Sequence, residues 1–560
     1  MSGNDPAQRG MPRRRFMKLG VYVVGAGGIA AACGDDAAAP APTTTAAPSG
    51  TAAPTTTAAA ATTTAAPATT AAPTTTAAAG PPMGGVLRLG TTGAGPRETV
   101  DPHAGGGSNA NVARKFNLHA RLQEIRADMA VENTLAEIIE PNADGSAYTI
   151  RLIDGAEFHH GKSIEAEDVM FSIQRMAEGG IMRDVLELAD VANIRIVDRL
   201  TIELPMLTPA FVYSKSWGEL ASGIAPIDYD PETNPAGSGP FKLVDWVPGE
   251  ETILGRHENY FGDPGSGGPY LDEVRLISFS DDLSRTNALL SGQIDAMDSV
   301  PIGQIPVVEG TDGLAVLEAE AGRVMFFYMR NDRPPFDDVR VRQAIRLIAD
   351  RSQMVNQALS GRGAVANDLF SPFDPCYASE IPQRTQDIAE ARRLLEAAGQ
   401  SGLTIDLNVS PVIAGVVEAA QVLAQQATEA GVTINVVNLD PGDYYASWPD
   451  GWEFGFEFFA NLQYPVIAPI VNGPGAFFNM PAWEDQEWLD LLLKARTEPD
   501  DEARCNIFKE MQALEHERGG YLIWGRANIT DGYSTAYDGF VSHRLGRSFG
   551  QYDMRPVHQV

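Results

Sequence analysis

The run Tyr148-Thr-Ile-Arg-Leu-Ile-Asp-Gly-Ala-Glu-Phe158-His-His-Gly161-Lys-Ser-Ile-Glu-Ala-Glu-Asp168-Val-Met-Phe-Ser172 holds a strand, a turn and a helix start in 25 residues. Tyr148, Ile150 and Leu152 alternate with polar partners, which is the period of a half-buried strand, and Asp154-Gly155 turns the chain. Val169, Ile173 and Met176 then recur at helical spacing behind Glu165, with Asp168 in the first turn, where negative charge is favourable. Strand, turn and helix in this order are the working unit of a mixed α/β protein.

The same alternation continues downstream. Asp387 with Glu390 forms a capping box, Leu394 and Leu395 mark the apolar face of the helix that follows, and Gly399 ends it. Residues 403–409 then read as a strand, 417–430 as a helix and 432–437 as a second strand, a βαβ unit whose strands must be parallel. Mixed sheets flanked by helices are expected, in more than one lobe, and the sequence carries no internal repeat.

The N-terminus is of another kind. Arg13, Arg14, Phe16 and Lys18 precede an apolar stretch, 19–32, of about 14 residues, short of the roughly 20 needed to span a bilayer. This is a signal peptide, 1–32, and the arginine pair with its weakly hydrophobic, glycine-rich run resembles a twin-arginine export signal. Ala30, Ala31 and Ala32 before Cys33 resemble a lipobox, with alanine at Ala30 where that family has leucine. Lipidation of Cys33 is the expectation; cleavage at an Ala-x-Ala site, giving a free secreted protein, is the alternative. Residues 37–79 are almost wholly Ala, Thr and Pro and cannot build a core, so 33–84 reads as a linker.

The remaining 85–560 is large enough for two or three domains. The net charge of −31 becomes about −35 once the signal, with five basic residues and one acidic, is removed. So acidic a body repels nucleic acid and anionic lipid, which excludes a nucleic-acid-binding role. Beyond Cys33 only Cys376 and Cys505 remain, a pair that permits one disulfide without demanding it.

Four blocks carry a family resemblance. The opening run is the first; Gly237-Ser-Gly-Pro240-Phe with Asn259-Tyr-Phe-Gly262 and Ser291-Gly-Gln-Ile-Asp295 is the second; Pro335-Phe-Asp-Asp-Val-Arg-Val-Arg342-Gln-Ala-Ile is the third, and the helix-rich stretch around 389–399 the fourth. In order and spacing they resemble the peptide/nickel class of extracellular solute-binding proteins, family 5, the receptors of ABC importers. The resemblance implies an α/β, two-lobed periplasmic-binding-protein-like fold of the large class with an extra domain. It places a first lobe at 85–325, with the extra domain at roughly 116–220, a second lobe at 326–521 and a C-terminal segment, 522–560, returning to the first. The chain would cross between lobes near 326–331 and near 521–524. Closure around a solute needs no catalytic group: contacts from both lobes favour the closed state.

Ligand recognition is expected in the aromatic-rich stretch 440–475. Phe454, Phe456 and Phe458 alternate as a strand with a core-facing side, whereas Phe459, Asn461, Gln463 and Tyr464 follow it as cleft candidates. Dipeptide receptors of the family carry an aspartate here for the peptide's ammonium group and an upstream arginine for its carboxylate. This chain offers Asn461 or Gln463 at the first place and apolar Val416 and Val417 at the second, so a dipeptide held at both charged ends is not expected. Asn461, Gln463 and Tyr464 are expected to meet Thr91, Thr92, Asp101 and His103 of the first lobe, with Asn331 near the hinge.

No catalytic role, cofactor or metal is expected. His159 and His160 are neighbours that point apart in an extended chain, and no metalloprotease, phosphate-loop or serine-hydrolase motif occurs. The expected partners are a small-molecule or oligopeptide ligand, an ABC permease and, through the lipid, the outer face of the cell membrane; the body is expected to be a monomer. A surface lipoprotein using the same fold for signalling or adhesion is the alternative.

Overall fold

The computed structural model describes residues 81–92, 98–104, 108–262, 268–476 and 478–560. The signal, Cys33 and the Ala/Thr/Pro stretch lie outside the described residues.

The opening run folds as its pattern predicts. Strand Ala147–Leu152 is followed by helix Ala166–Ala177, whose Val169, Ile173 and Met176 are buried against Tyr148, Phe158 and Trp217. Asp168 organises the helix start: its carboxylate accepts from the Glu165 backbone N–H at 3.0 Å, from that of Ile227 at 2.9 Å and from the Lys162 ammonium at 2.6 Å. The strand lies inside a four-stranded antiparallel sheet, Ala136–Pro141, Ala147–Leu152, Thr201–Pro205 and Arg195–Asp198 in spatial order.

The βαβ unit is present as read. Strands Thr404–Val409 and Thr433–Asn438 pair in parallel around helix Val416–Glu429. Helix Ile388–Ala397 before it is capped by Asp387, which accepts from the Glu390 N–H at 2.9 Å, and Gly399 closes it in the left-handed region at φ +71°.

A nine-stranded sheet joins residues from both ends of the chain. Val86–Thr91 lies between Ala296–Met297 and Glu273–Ser278, parallel to both. Two long strands, Leu314–Met329 and Tyr521–Ser534, pair antiparallel beside them, and Phe454–Ala460 forms the far edge. The long pair shifts register between Ala319 and Arg323. Before the shift Leu314 and Val316 pack on the small core of Leu289, Ile294 and Val308; after it Met325, Phe327 and Met329 enter the core of Ile345, Leu407, Leu423 and Phe456. Val324, Phe326 and Tyr328 are buried on the opposite face, which explains why this segment shows an unbroken apolar run instead of alternation.

Cys376 and Cys505 are joined by a disulfide across 129 residues of chain. Near the C-terminus, Phe549, Gly550, Gln551 and Tyr552 form a left-handed turn with φ of 46°, 61°, 69° and 59°. Such a turn costs about 1–2 kcal/mol per non-glycine residue and persists only where its surroundings impose it. Here Asp531 accepts from the Phe549 N–H at 2.7 Å, and the Tyr552 hydroxyl donates to Asp298 at 2.7 Å. Among the described residues no helix is long and apolar enough to cross a membrane.

Candidate ligand-binding site

Strand Phe454–Ala460 ends at Asn461, whose backbone N–H donates to the Leu545 carbonyl at 2.9 Å and whose amide donates to the Arg544 carbonyl at 2.7 Å. Gln463 donates to the Met129 carbonyl at 3.3 Å. Both amides are buried at a seam where Ile125, Met129 and Leu545 pack with Phe373, Ala460 and Leu462. His543 extends the seam. Its Nδ1 accepts from the Leu545 N–H at 2.9 Å, so Nε2 carries the proton and donates to the Ile125 carbonyl at 2.9 Å. Burial lowers the His543 pKa and keeps the ring neutral. The same Ile125 carbonyl accepts from Gln551 at 3.2 Å.

Behind His543 lies a cavity of about 310 Å³, lined by Phe116, Arg121, Glu124, Tyr260, His543 and Gln551 among others. Arg555 donates to Glu124 and to Asp553, each at 2.7 Å. Arg126 reaches Glu132 at 2.7 Å and Glu124 at 3.5 Å. The left-handed turn thus supplies cavity wall through Gly550 and Gln551.

The residues expected to form the site fall into separate groups. Asn461 and Gln463 meet backbone carbonyls of Arg544 and Met129 in place of Thr91, Thr92, Asp101 and His103. Tyr464 turns away from them: its hydroxyl donates to Glu515 at 2.8 Å, beside Trp488 and Asn472, which donate to the same oxygen. Burial pushes the Glu515 carboxyl up to about 7. Phe459 packs among Phe326, Phe370 and Phe478. Asn331 donates its backbone N–H to Pro481 at 2.7 Å, and both atoms of its amide are buried without a partner among the described residues.

In the other group, Asp101 and His103 share Arg175. Asp101 takes its guanidinium at 2.7 and 3.3 Å, and His103 Nδ1 accepts from it at 3.0 Å while Nε2 meets the Gly223 carbonyl at 2.7 Å. Burial works to raise the Asp101 carboxyl, and the bonds from Arg175 and the His103 N–H together outweigh it, leaving the pKa below its usual value. Burial brings His103 down to about 4. Thr91 is buried in its strand, and the Thr92 carbonyl accepts from Ala110 at 3.2 Å. Elsewhere, His159 meets the Gly239 carbonyl at 3.1 Å, whereas His160 lies 3.8 Å from Asp228, so the two rings serve different neighbours.

Arg121, His543, Gln551 and Arg555 line the cavity although no motif marks them.

Comparison with known proteins agrees with this architecture. The model for bacterial extracellular solute-binding proteins, family 5, matches residues 130–460. A glutathione-binding protein of Pectobacterium atrosepticum is 27% identical over 355 residues, covering 61% of this chain and 68% of the relative. Heme-binding protein A of Haemophilus influenzae is 24% identical over 453 residues, covering 74% and 82%. Among solved structures, AgaA of A. tumefaciens R10 in complex with agropinic acid superposes with a TM-score of 0.73 at 23% identity, over 85% of this chain and 99% of that one. The oligopeptide-binding protein AppA of Bacillus subtilis, in complex with a nonapeptide, gives 0.70 at 18% identity, over 86% and 100%. These two likenesses establish the periplasmic-binding-protein fold. The family match spans more than half of the chain, and this protein therefore belongs to the bacterial extracellular solute-binding proteins, family 5.

Proposed function

We propose that the chain captures a small polar solute in the cavity beneath the 541–556 segment and hands it to a membrane permease. The observation that carries this reading is the position of Asn461: it grips Arg544 and Leu545, and through His543 the same segment forms a wall of the cavity. A contact of this kind couples closing of the protein to formation of the site. The two long strands, with their register shift between Ala319 and Arg323, are the crossing segments between a first lobe at 85–325, its extra domain at roughly 116–220 included, and a second lobe at 326–521; residues 522–560 return to the first. Asn461 and Gln463 act as the latch from the second lobe. Asn331 and Phe459 support the crossing strands, and Tyr464 sets the helix that follows the latch. Thr91, Thr92, Asp101 and His103 shape the first-lobe side.

Glutathione, heme, agropinic acid and a nonapeptide are the ligands of those relatives. A cavity of about 310 Å³ is at the small end of ligand pockets, which run from about 300 to 1,000 Å³, so it favours a solute nearer the size of an amino-acid derivative than of a long peptide.

Delivery places the chain at the outer face of the cell membrane. The 1–32 segment serves as the export signal, Cys33 takes the lipid, and the Ala/Thr/Pro linker lets the folded body search nearby solution. Fatty-acid labelling that Cys33→Ser fails to remove would contradict the anchor alone. The receptor reading is tested by identifying the solute that copurifies with the full chain by native mass spectrometry, then measuring its uptake by cells. Uptake is expected to disappear when the gene is deleted and return with the gene; unchanged uptake contradicts the proposal.

A further inference from the structure

The cavity is lined by three guanidinium groups, Arg121, Arg126 and Arg555, against two carboxylates, Glu124 and Asp553, inside a chain whose net charge is −31. The pairing is uneven. Arg555 takes Asp553 through two bonds at 2.7 Å and Glu124 through one at 2.7 Å, and Arg126 is drawn outward to Glu132 at 2.7 Å. Among the described residues Arg121 makes one hydrogen bond, Nη1 to the His119 carbonyl at 3.3 Å, a long ion pair of Nη2 with Glu124 at 3.7 Å, and an electrostatic interaction with buried Glu219. The Arg121 Nε is buried with no partner among the described residues, and the residue is 5% exposed.

A guanidinium has five donors, and burying one with so few satisfied is unfavourable. Packing accounts for the position of the group without satisfying its donors: the Phe116 ring lies 4.0 Å from the Arg121 guanidinium carbon, and Arg547 lies over the same ring at 5.5 Å. The two imidazoles of the lining do not supply the missing acceptor. His543 is bonded at both nitrogens, to the Ile125 carbonyl and the Leu545 N–H, whereas His119 Nε2 meets the Val100 carbonyl and its Nδ1, buried without a partner among the described residues, makes no bond to Arg121. Burial keeps both rings neutral, His119 at about 3.

We propose that this cavity is an anion subsite and that the solute it receives carries a carboxylate, which docks on Arg121 beside the Phe116 ring. The inference rests on the solute-capture reading and narrows it to small anionic solutes. Charge-assisted bonds to the guanidinium supply the orientation, and the aromatic faces of Phe116 and Tyr260 supply the apolar wall.

Crystals of the full chain soaked in sodium bromide test the subsite directly. The expected result is an anomalous bromide peak inside the cavity within bonding reach of Arg121, absent in Arg121→Gln crystals. Bromide at surface arginines and lysines but not in the cavity overturns the proposal, and so does a cavity peak that survives Arg121→Gln. Native mass spectrometry of the same proteins separates this from solute capture itself. An acidic solute is expected to lose occupancy by about tenfold or more in Arg121→Gln, the scale of a hydrogen bond to a charged group, with partial recovery in Arg121→Lys. A neutral solute retained equally by Arg121→Gln overturns the carboxylate assignment while leaving solute capture intact.

Discussion

Asn461 donates its side-chain amide to the Arg544 carbonyl at 2.7 Å while its backbone N–H donates to the Leu545 carbonyl at 2.9 Å, so one residue holds two consecutive peptides of the segment that walls the cavity. The backbone bond survives side-chain replacement, but the amide bond and its neighbour from Gln463 to Met129 do not. At about 1 kcal/mol each, their joint loss in Asn461→Ala/Gln463→Ala is expected to weaken solute binding roughly ten- to thirtyfold. Calorimetric titration measures it, and wild-type affinity in the double variant would remove the latch from the account.

Gly546 tests the same segment from the other side. It sits at φ +88°, and a Cβ there would overlap the Gly322 carbonyl, next to the register shift of the long strand. Gly546→Ala therefore meets both a disfavoured backbone and a backbone clash. A loss on the order of 1–3 kcal/mol is expected, read as a lower urea midpoint with an unchanged slope. A variant as stable as wild type would show that the approach of Gly322 and Gly546 is not fixed.

The disulfide Cys376–Cys505 closes a long loop, with 129 residues separating its cysteines. Restricting the unfolded chain by such a loop contributes at most about 4–5 kcal/mol. Cys376→Ser/Cys505→Ser and reduction of the wild type are each expected to lower the Tm, by the same number of degrees as one another. Equal Tm values for oxidised and reduced protein would contradict a stabilising role.

How far the sequence reached follows from the range of the interactions. The strand at Tyr148, the buried stripe of Val169, Ile173 and Met176 and the parallel βαβ unit rest on local periodicity, and all are present. The pairing of Val86–Thr91 beside residues more than 180 positions away leaves no local mark. Nor does the left-handed turn at Phe549, Gln551 and Tyr552, where side chains that normally avoid positive φ are held by Asp531 and Asp298. The position of Tyr464 after a strand is legible, but its commitment to Glu515, 51 residues further on, depends on how two helices pack. No motif marks Arg121, and the absence among the described residues of a partner for its Nε emerges only when its neighbours are in place.

Glu457 gives the fold a pH dependence. Burial pushes its carboxyl up to about 8, against weaker opposing bonds from the Phe458 N–H and the Tyr445 hydroxyl. The folded protein thus keeps a proton that the unfolded chain releases near 4.5, so this group's contribution to stability is present at low pH and is lost as pH rises from about 4.5 through 8. Glu457→Gln removes that loss. Its Tm relative to wild type is expected to rise by several degrees between about pH 4 and pH 9, and a difference that stays constant over the range would refute the assignment.

The central claim is that solute is held in the cavity walled by the 541–556 segment, which Asn461 latches through Arg544 and Leu545. Hydrogen exchange of the full chain, with and without the copurifying solute, measures this most directly. The account predicts slower exchange on solute addition at 461–463, at 543–551 and at Ile125 together. Protection confined to other segments, or none at all with solute bound, would contradict it.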